Sequence, residues 1–269
     1  MSIQSSSVSR TVRLHHHQKA AEVDDLIHLA LQLSLEGASP DNVELLRWAR
    51  SKDRLESLWI DSRRPDWILK VVDWADRVGV TDELDIRGLR LFACWCARGG
   101  QDGAFGPRAG GIIDVAERFA SGAATLDELN GARLKGRGGA QGAAVCGMHR
   151  RNPRAAFQLA TWHTVSESAL ASAEWASWYS LQGRQFELEA AGALPVKSET
   201  VPYSLRALTP ALAGPSEHEA EFPPAIVSLR VEYAAKLREL VRNPFVNVDL
   251  PRLCSLRVEI DRSLAHRAN

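Results

Sequence analysis

The chain has little of what would classify it quickly. Four of its 269 residues are cysteine, Cys94, Cys96, Cys146 and Cys254. That is too few to staple a chain of this length as a disulfide scaffold. No apolar run approaches the roughly 18 residues that span a bilayer. The polar stretch from Ser2 to Ser9 lacks the apolar core of a secretory signal, so a reducing cytoplasm is the expected compartment. Neither sign of charge is in excess: 33 Lys and Arg face 33 Asp and Glu, with a pI near 7.1. A dedicated duplex-DNA binder carries net positive charge, and this balance argues against one. The short signatures of catalysis are also missing, with no G-x-S-x-G, no H-E-x-x-H and no Walker loop. No cofactor is expected.

What is present is helical periodicity over most of the chain. Glu22 to Leu35 carries one apolar stripe, and Ser39-Pro40 opens a helix to about Arg50. A short segment holds Leu55, Leu58 and Trp59. Pro65 then begins the clearest amphipathic helix, with Trp67, Val71, Trp74 and Val78 on one face and Gly79 as its stop. Thr81 is placed to cap the next helix, in which Leu89, Phe92, Ala93 and Cys96 recur and Gly99-Gly100 ends the run. A glycine-rich loop to about Gly111 leads into the stripe Ile112, Val115, Ala116 and Phe119. Thr125-Leu-Asp-Glu128 is a capping box, which starts a helix expected to reach Arg133. Gly136, Gly138, Gly139 and Gly142 predict a flexible gap. Asn152-Pro153 starts one or two packed helices to about Ala191, with Gly183 the candidate break point if there are two. Residues 195–224 hold six of the twelve prolines, a density no regular helix survives. Ile226 to Val241 restores helical spacing, and the tail from Leu250 also fits a helix. The expected fold is all-α, an irregular array of short antiparallel helix pairs. Its organisation reads as a flexible arm over 1–20, a helical domain over 21–192, a Pro-rich connection over 193–224, and C-terminal helices over 225–269 that pack on the same domain. His15, His16 and His17 fall in the arm.

Three constellations could carry chemistry. Cys94, Cys96, Cys146 and His149 form the sole metal-like set. Two residues separated by one position on a helix point about 200° apart, which suits a tetrahedral zinc poorly. Cys96 shares the core stripe with Phe92, so packing is the expected role, and no metal is expected. His163 and Glu167, four residues apart, are placed for an acid/base pair or for a solvated helix pair. The third constellation is a charge pattern. No acidic residue lies between Glu128 and Glu167, whereas Arg133, Lys135, Arg137, Arg150, Arg151 and Arg154 all do. Such a segment leading into the helix start at Pro153 is a candidate anion or nucleic-acid site. Among the eight tryptophans, Trp67 and Trp74 belong to a core stripe. Trp48 and Trp59 are less constrained and are candidates to face a partner.

Several blocks of the chain resemble a group of helical proteins found in planctomycetes, related bacteria and some phages. Leu58-Trp-Ile-Asp-Ser-Arg-Arg-Pro-Asp-Trp-Ile-Leu69 is similar to their RPDWMLWL block. Leu89 to Arg98 is similar to LRLFACACCR, and Val115 to Arg133 to VAERFADGEATLEELAAAR. Arg238 to Phe245 resembles an LLRDIFGNPF ending. Some of those proteins are labelled immunity proteins. The resemblance implies an all-α domain of paired helices and transfers no active site. It differs in that a long Ala-rich helix follows the third block in those proteins, where this chain has Gly136 to Gly142, and in the Pro-rich insertion.

These observations favour a non-enzymatic, immunity-like or defence-associated helical module that binds another protein, with no membrane involved. The alternatives are an accessory subunit of a nucleoprotein complex, touching RNA or DNA through 133–154, and a hydrolase-like enzyme built on His163 and Glu167 or on zinc.

Overall fold

A computed structural model describes residues 45, 48–49, 51–52, 55–79, 81, 83–99, 107–148, 150–194 and 223–246. The expected arm over 1–20, the helix from Glu22, most of the connection over 193–224 and the tail from Leu250 lie outside the described residues. Among those described the fold is all-α, with eight α-helices and no strand. In chain order they are α1 (Leu55–Ile60), α2 (Pro65–Val78), α3 (Ile86–Arg98), α4 (Pro107–Ala120), α5 (Leu126–Gly142), α6 (Pro153–His163), α7 (Ala169–Ala190) and α8 (Pro224–Leu240). A π-helical turn, Ala143–Gly147, extends α5.

The helix ends follow local chemistry. Pro65 occupies the first turn of α2, where its missing N–H costs nothing, and Gly79 ends the helix at φ 68°. Thr125 Oγ1 accepts from Glu128 N at 3.2 Å, and Glu128 Oε2 accepts from Thr125 N at 2.8 Å, completing the capping box of α5. Asn152 caps α6 and Ser168 caps α7. The cap of α3 is a correction. Asp85, not Thr81, accepts from Gly88 N at 2.9 Å, and its second oxygen accepts from Arg242 N at 2.9 Å. That carboxylate therefore ties the start of α3 to the end of α8. Gly88 makes the approach possible, because a Cβ there would lie 2.4 Å from the Leu240 carbonyl oxygen.

Two hydrophobic cores form, and α3 separates them. Leu89, Phe92, Ala93 and Cys96 face the first, with Trp67, Ile68, Trp74, Tyr233 and Leu237. Cys94 and Ala97 face the second, with Ile113, Leu129, Leu159 and Phe186. Cys94, on the side of α3 away from Phe92 and Cys96, is fully buried too, because α3 is covered on both sides. Helix α7 also feeds both cores, and it packs most extensively on α6 and α3. Its small residues Ser172, Ala173, Ala176, Ser177, Ser180 and Gly183 are all buried, which lets neighbouring backbones approach. The serine hydroxyls are satisfied there. Ser172 donates to Ser168 O at 2.9 Å and Ser180 donates to Cys96 O at 2.6 Å, with Tyr233 Oη 2.7 Å from Ser180 Oγ. Burial of an unpaired hydroxyl would cost several kcal/mol, on the order of 1–3 by mutational measures.

Arginines close the ends of the array. Buried Arg90 donates to Ser166 O at 3.0 Å and Glu167 O at 2.6 Å, with the Phe119 ring 4.9 Å below its guanidinium. Arg238 on α8 donates to Trp59 O at 2.7 Å and to Ser62 O, clamping the α1–α2 turn. Arg98 bridges to Glu117 and Asp114, fixing the end of α3 on α4.

The glycines overturn three expectations. Helix α4 begins at Pro107, so Gly110 and Gly111 are helical rather than loop. Gly136 to Gly142 are helical too, and α5 runs past Arg133 into the π turn. The chain does divide into two helices, but at Thr164 to Ser168 rather than at Gly183. Interior helical glycine costs about 1 kcal/mol relative to alanine, so a compensating contact is expected. Some positions show one. A Cβ on Gly136 would lie 3.0 Å from the Trp162 ring, one on Gly139 2.3 Å from Gln158 Nε2, and one on Gly183 2.8 Å from the Phe157 ring. Gly111, Gly131, Gly138 and Gly142 have nothing within 4 Å. Gly183→Ala is therefore expected to lower stability by roughly 1–3 kcal/mol through overpacking, while Gly111→Ala raises it by up to about 1 kcal/mol. Urea unfolding of both variants checks the opposite signs; a shift in the same direction defeats the account.

Candidate partner surface

The sequence-level metal set does not come together among the described residues. Cys94 and Cys96 are buried in different cores. Burial pushes the Cys94 thiol up to about 12, with Glu117 adding to the shift, and pushes the Cys96 thiol well above its ordinary value. Such thiols are poor nucleophiles and poor ligands. The Cys146 side chain and His149 lie outside the described residues. No group of three or more His, Cys, Asp or Glu suited to a metal occurs among those described.

The acid/base pair is also separated. His163 is the last residue of α6, and Glu167 sits in the connection to α7. The Glu167 carboxylate accepts from Arg133 at 2.7 Å. The imidazole instead joins an aromatic layer. It stacks on Trp175 at 5.4 Å and on Tyr179 at 5.3 Å, with Trp162 edge-on at 4.9 Å. Trp162 Nε1 donates to Arg133 O at 3.2 Å, which holds α5 against α6. Burial, assisted by the Arg133 charge, holds His163 down at about 4. The ring is neutral at pH 7, and its stacking contacts account for its position.

The basic segment is split by its neighbours. Arg133 is paired with Glu167. Arg151, at φ 51°, reaches the buried carboxylate of Glu189 with two nitrogens, while Gln185 donates to the same carboxylate at 2.9 Å. The Phe186 ring lies 5.0 Å from the Arg151 guanidinium. This arginine closes the α6–α7 pair. Lys135, Arg137, Arg150 and Arg154 are exposed, and no carboxylate pairs with them among the described residues. Lys135 and Arg137 leave α5 about 200° apart, so they flank the helix rather than share a face.

The tryptophan candidates also diverge. Trp59 is 4% exposed and belongs to the first core, which corrects its expected place on the surface. Its backbone carbonyl, near the end of α1, accepts from Arg238 at 2.7 Å. Trp48 is half-buried, tilted against Trp67 at 5.3 Å with Lys52 above it.

A surface not singled out in the sequence lies between α4 and α5. These antiparallel helices leave a groove of about 580 Å³ lined by Gly111, Ile112, Val115, Arg118, Glu128, Gly131, Ala132 and Lys135. Ile112, Val115 and Ala132 form an apolar floor. Arg118 pairs with Glu128 at 3.1 Å at one end, and Lys135 stands at the other. Gly111 and Gly131 have no neighbour within 4 Å of a would-be Cβ, so the walls are low. Beside the groove, α5 exposes Leu126, Leu134 and, on the π turn, Val145. The available signal was glycine recurring at helical spacing on two successive helices. It was masked because glycine ordinarily marks a loop. The groove can hold a few side chains and orient them by charge at both ends. No family model, curated protein or solved structure matches the chain.

Two predictions follow from these pairs. His163 favours its neutral form when folded, so its contribution is complete above about pH 6.5 and is lost as pH falls toward 4. Wild type should lose about 2 kcal/mol more between pH 7 and pH 4.5 than His163→Gln. Denaturant melts at both pH values give the slopes, and equal slopes would refute the assignment. Arg151→Met strands the Glu189 carboxylate in the interior and should cost roughly 3 kcal/mol, whereas Arg151→Met with Glu189→Leu recovers most of the loss. A double-mutant cycle showing additive effects would count against the pair.

Proposed function

We propose that this chain is a non-enzymatic helical interaction module that receives part of a partner protein in the α4–α5 groove. The groove itself carries the proposal. It combines an apolar floor of Ile112, Val115 and Ala132 with charged ends at Arg118–Glu128 and Lys135. Its volume falls within the roughly 300–1,000 Å³ typical of binding clefts. The low glycine walls admit side chains that a standard helix pair would exclude. Likeness of the sequence blocks to helical proteins, some labelled immunity proteins, points to the same class and favours a defence-associated partner. No described helix is long and apolar enough to cross a membrane.

A second function, contact with RNA or DNA backbone, is favoured by one observation: Lys135, Arg137, Arg150 and Arg154 are exposed without a pairing carboxylate among the described residues. Their spread over different sides of α5 and α6 makes this the weaker fit.

A photo-crosslinking amino acid placed at Val115 should give a discrete protein adduct in the host cell. The same probe at exposed Ile60 should not. Adding Lys135→Glu should reduce the Val115 adduct about tenfold, a loss near 1.4 kcal/mol, with the circular dichroism spectrum unchanged. Identical adduct patterns from both positions would rule the groove out. For nucleic acid, labelled single strands should bind with a steep salt dependence that flattens when the four cations become alanine. Salt-independent binding removes that function.

A further inference from the structure

The two ends of the α4–α5 groove differ in charge. At one end Arg118 and Glu128 pair at 3.1 Å, and their charges cancel. At the other end Lys135 is exposed, and no carboxylate pairs with it among the described residues. Past Lys135 the polar surface continues onto α6. Gly139 lies one turn beyond Lys135 on the same side of α5. The Gln158 carboxamide of α6 occupies the space that a Cβ on Gly139 would need. Arg154 lies one turn before Gln158 on the same side of α6, and it is exposed without a carboxylate partner among the described residues. Gly136 faces Trp162 as Gly139 faces Gln158, so the two helices run antiparallel and the steps add. The contact between Gly139 and Gln158 therefore joins the two helix faces into one track of Lys135, Gln158 and Arg154. Each one-turn step is about 6 Å, so the track runs for about 12 Å beyond the groove. Its surroundings hold little negative charge. No acidic residue lies between Glu128 and Glu167 in the sequence, and Glu167 is taken up by Arg133.

We infer that the occupant of the groove is an acidic segment of the partner protein, in which a large apolar side chain is followed by two carboxylates. This rests on the groove as the partner site and adds the chemistry of what enters it. The apolar side chain covers Ile112 and Val115. The carboxylates pair with Lys135 and Arg154, and half-buried Gln158 donates between them. Charge is selected at this end alone, because the Arg118–Glu128 pair offers no net sign. The bound segment therefore has a direction, with its acids leaving past Lys135. At about 3.4 Å per residue of extended chain, the track corresponds to about four residues between the two acids.

A nucleic-acid strand fits the same track less well. Each strand of a duplex carries a phosphate about every 3.4 Å. Here two cations stand about 12 Å apart with a neutral amide between them, and the track abuts an apolar floor. Discrete carboxylates beside an apolar anchor match that spacing better than a continuous run of phosphates.

Panning a random peptide display library on the full chain is the first test. Enriched peptides should carry a large apolar residue with at least two Asp or Glu to one side of it. Enrichment of basic or uncharged peptides, or none over a blank surface, would overturn the inference. The most enriched acidic peptide is then labelled and titrated by fluorescence anisotropy. Lys135→Glu and Arg154→Glu should each weaken its binding about tenfold, while Arg137→Glu, on another side of α5, leaves it unchanged. Changing the peptide's acids to amides should remove the response to Lys135→Glu, which a double-mutant cycle reads directly. Gly131→Gln fills the groove without a clash, since nothing lies within 4 Å of a Cβ there, and it should abolish binding. Binding lost in Gly131→Gln but indifferent to Lys135→Glu and Arg154→Glu would leave the groove standing and overturn the acidic occupant. Binding that ignores Gly131→Gln would overturn both. Displacement of the peptide by an equimolar single-stranded DNA would assign the track to nucleic acid and overturn the inference as well.

Discussion

Helix α3 is covered on both sides, and the rest of the described fold is arranged to achieve that cover. A 13-residue helix with one wet face would need a single partner layer. Here Phe92 and Cys96 lie in one core and Cys94 and Ala97 in the other. The helix has α8 on one side and α4 and α6 on the other, with α7 shared between them, and α2 completes the first core from across α7 and α8. Arg90 is the polar cost of this arrangement. A cation in a two-sided core must find acceptors, and the carbonyls of Ser166 and Glu167 supply them. They do so because the chain breaks at Thr164 to Ser168, where backbone oxygens are not consumed by a helix. Position of the α6–α7 break and burial of Arg90 are therefore one constraint seen from two ends.

Where one local rule governed, the sequence was legible. Pro65, Thr125 to Glu128 and Asn152-Pro153 each start a helix because an unpaired amide is either removed or satisfied within three residues. Gly79 and Gly122, at φ 68° and 73°, end helices because few other residues adopt that backbone. The all-α class followed from the 3.6-residue period alone. Legibility failed where a residue served a long-range contact. Gly136, Gly139 and Gly183 read as breakers, yet each makes room for a side chain from another helix. Arg151 read as a free cation, yet its partner Glu189 is 38 positions away. Trp59 read as surface because its stripe is too short to reveal its inward face. The groove failed for the same reason as the glycines, since two helices had to be placed side by side before its walls existed.

The division of labour on α5 follows from composition. Its inner side carries Leu129, Ala132, Gly136 and Ala140, small enough to seat it tightly on α6 beneath Trp162. Its α4 side supplies the groove with Gly131 and Lys135. Its outer side keeps Leu134 and Val145 in water. A helix this poor in large apolar residues gains little from its own core, and the capping box with Arg118–Glu128 helps to hold its start in place. Lacking bulk on all sides, it can present a recess on one face and a smooth, notched surface on another.

The Arg90 contact also bears on the time order of folding. Its acceptors lie 76 and 77 positions downstream, and closing so long a loop is entropically slow. The α6–α7 pair, joined by five residues, is local and quick by comparison. As the chain emerges from the ribosome, α3 can meet α2 and α4 early, but Arg90 must wait for its acceptors until Glu167 has been made. Its cover is completed only when α8 brings Tyr233 and Leu237 to the first core, so a chaperone that binds exposed aliphatic stretches would find a target in Leu89 to Ala97 until the chain is nearly whole.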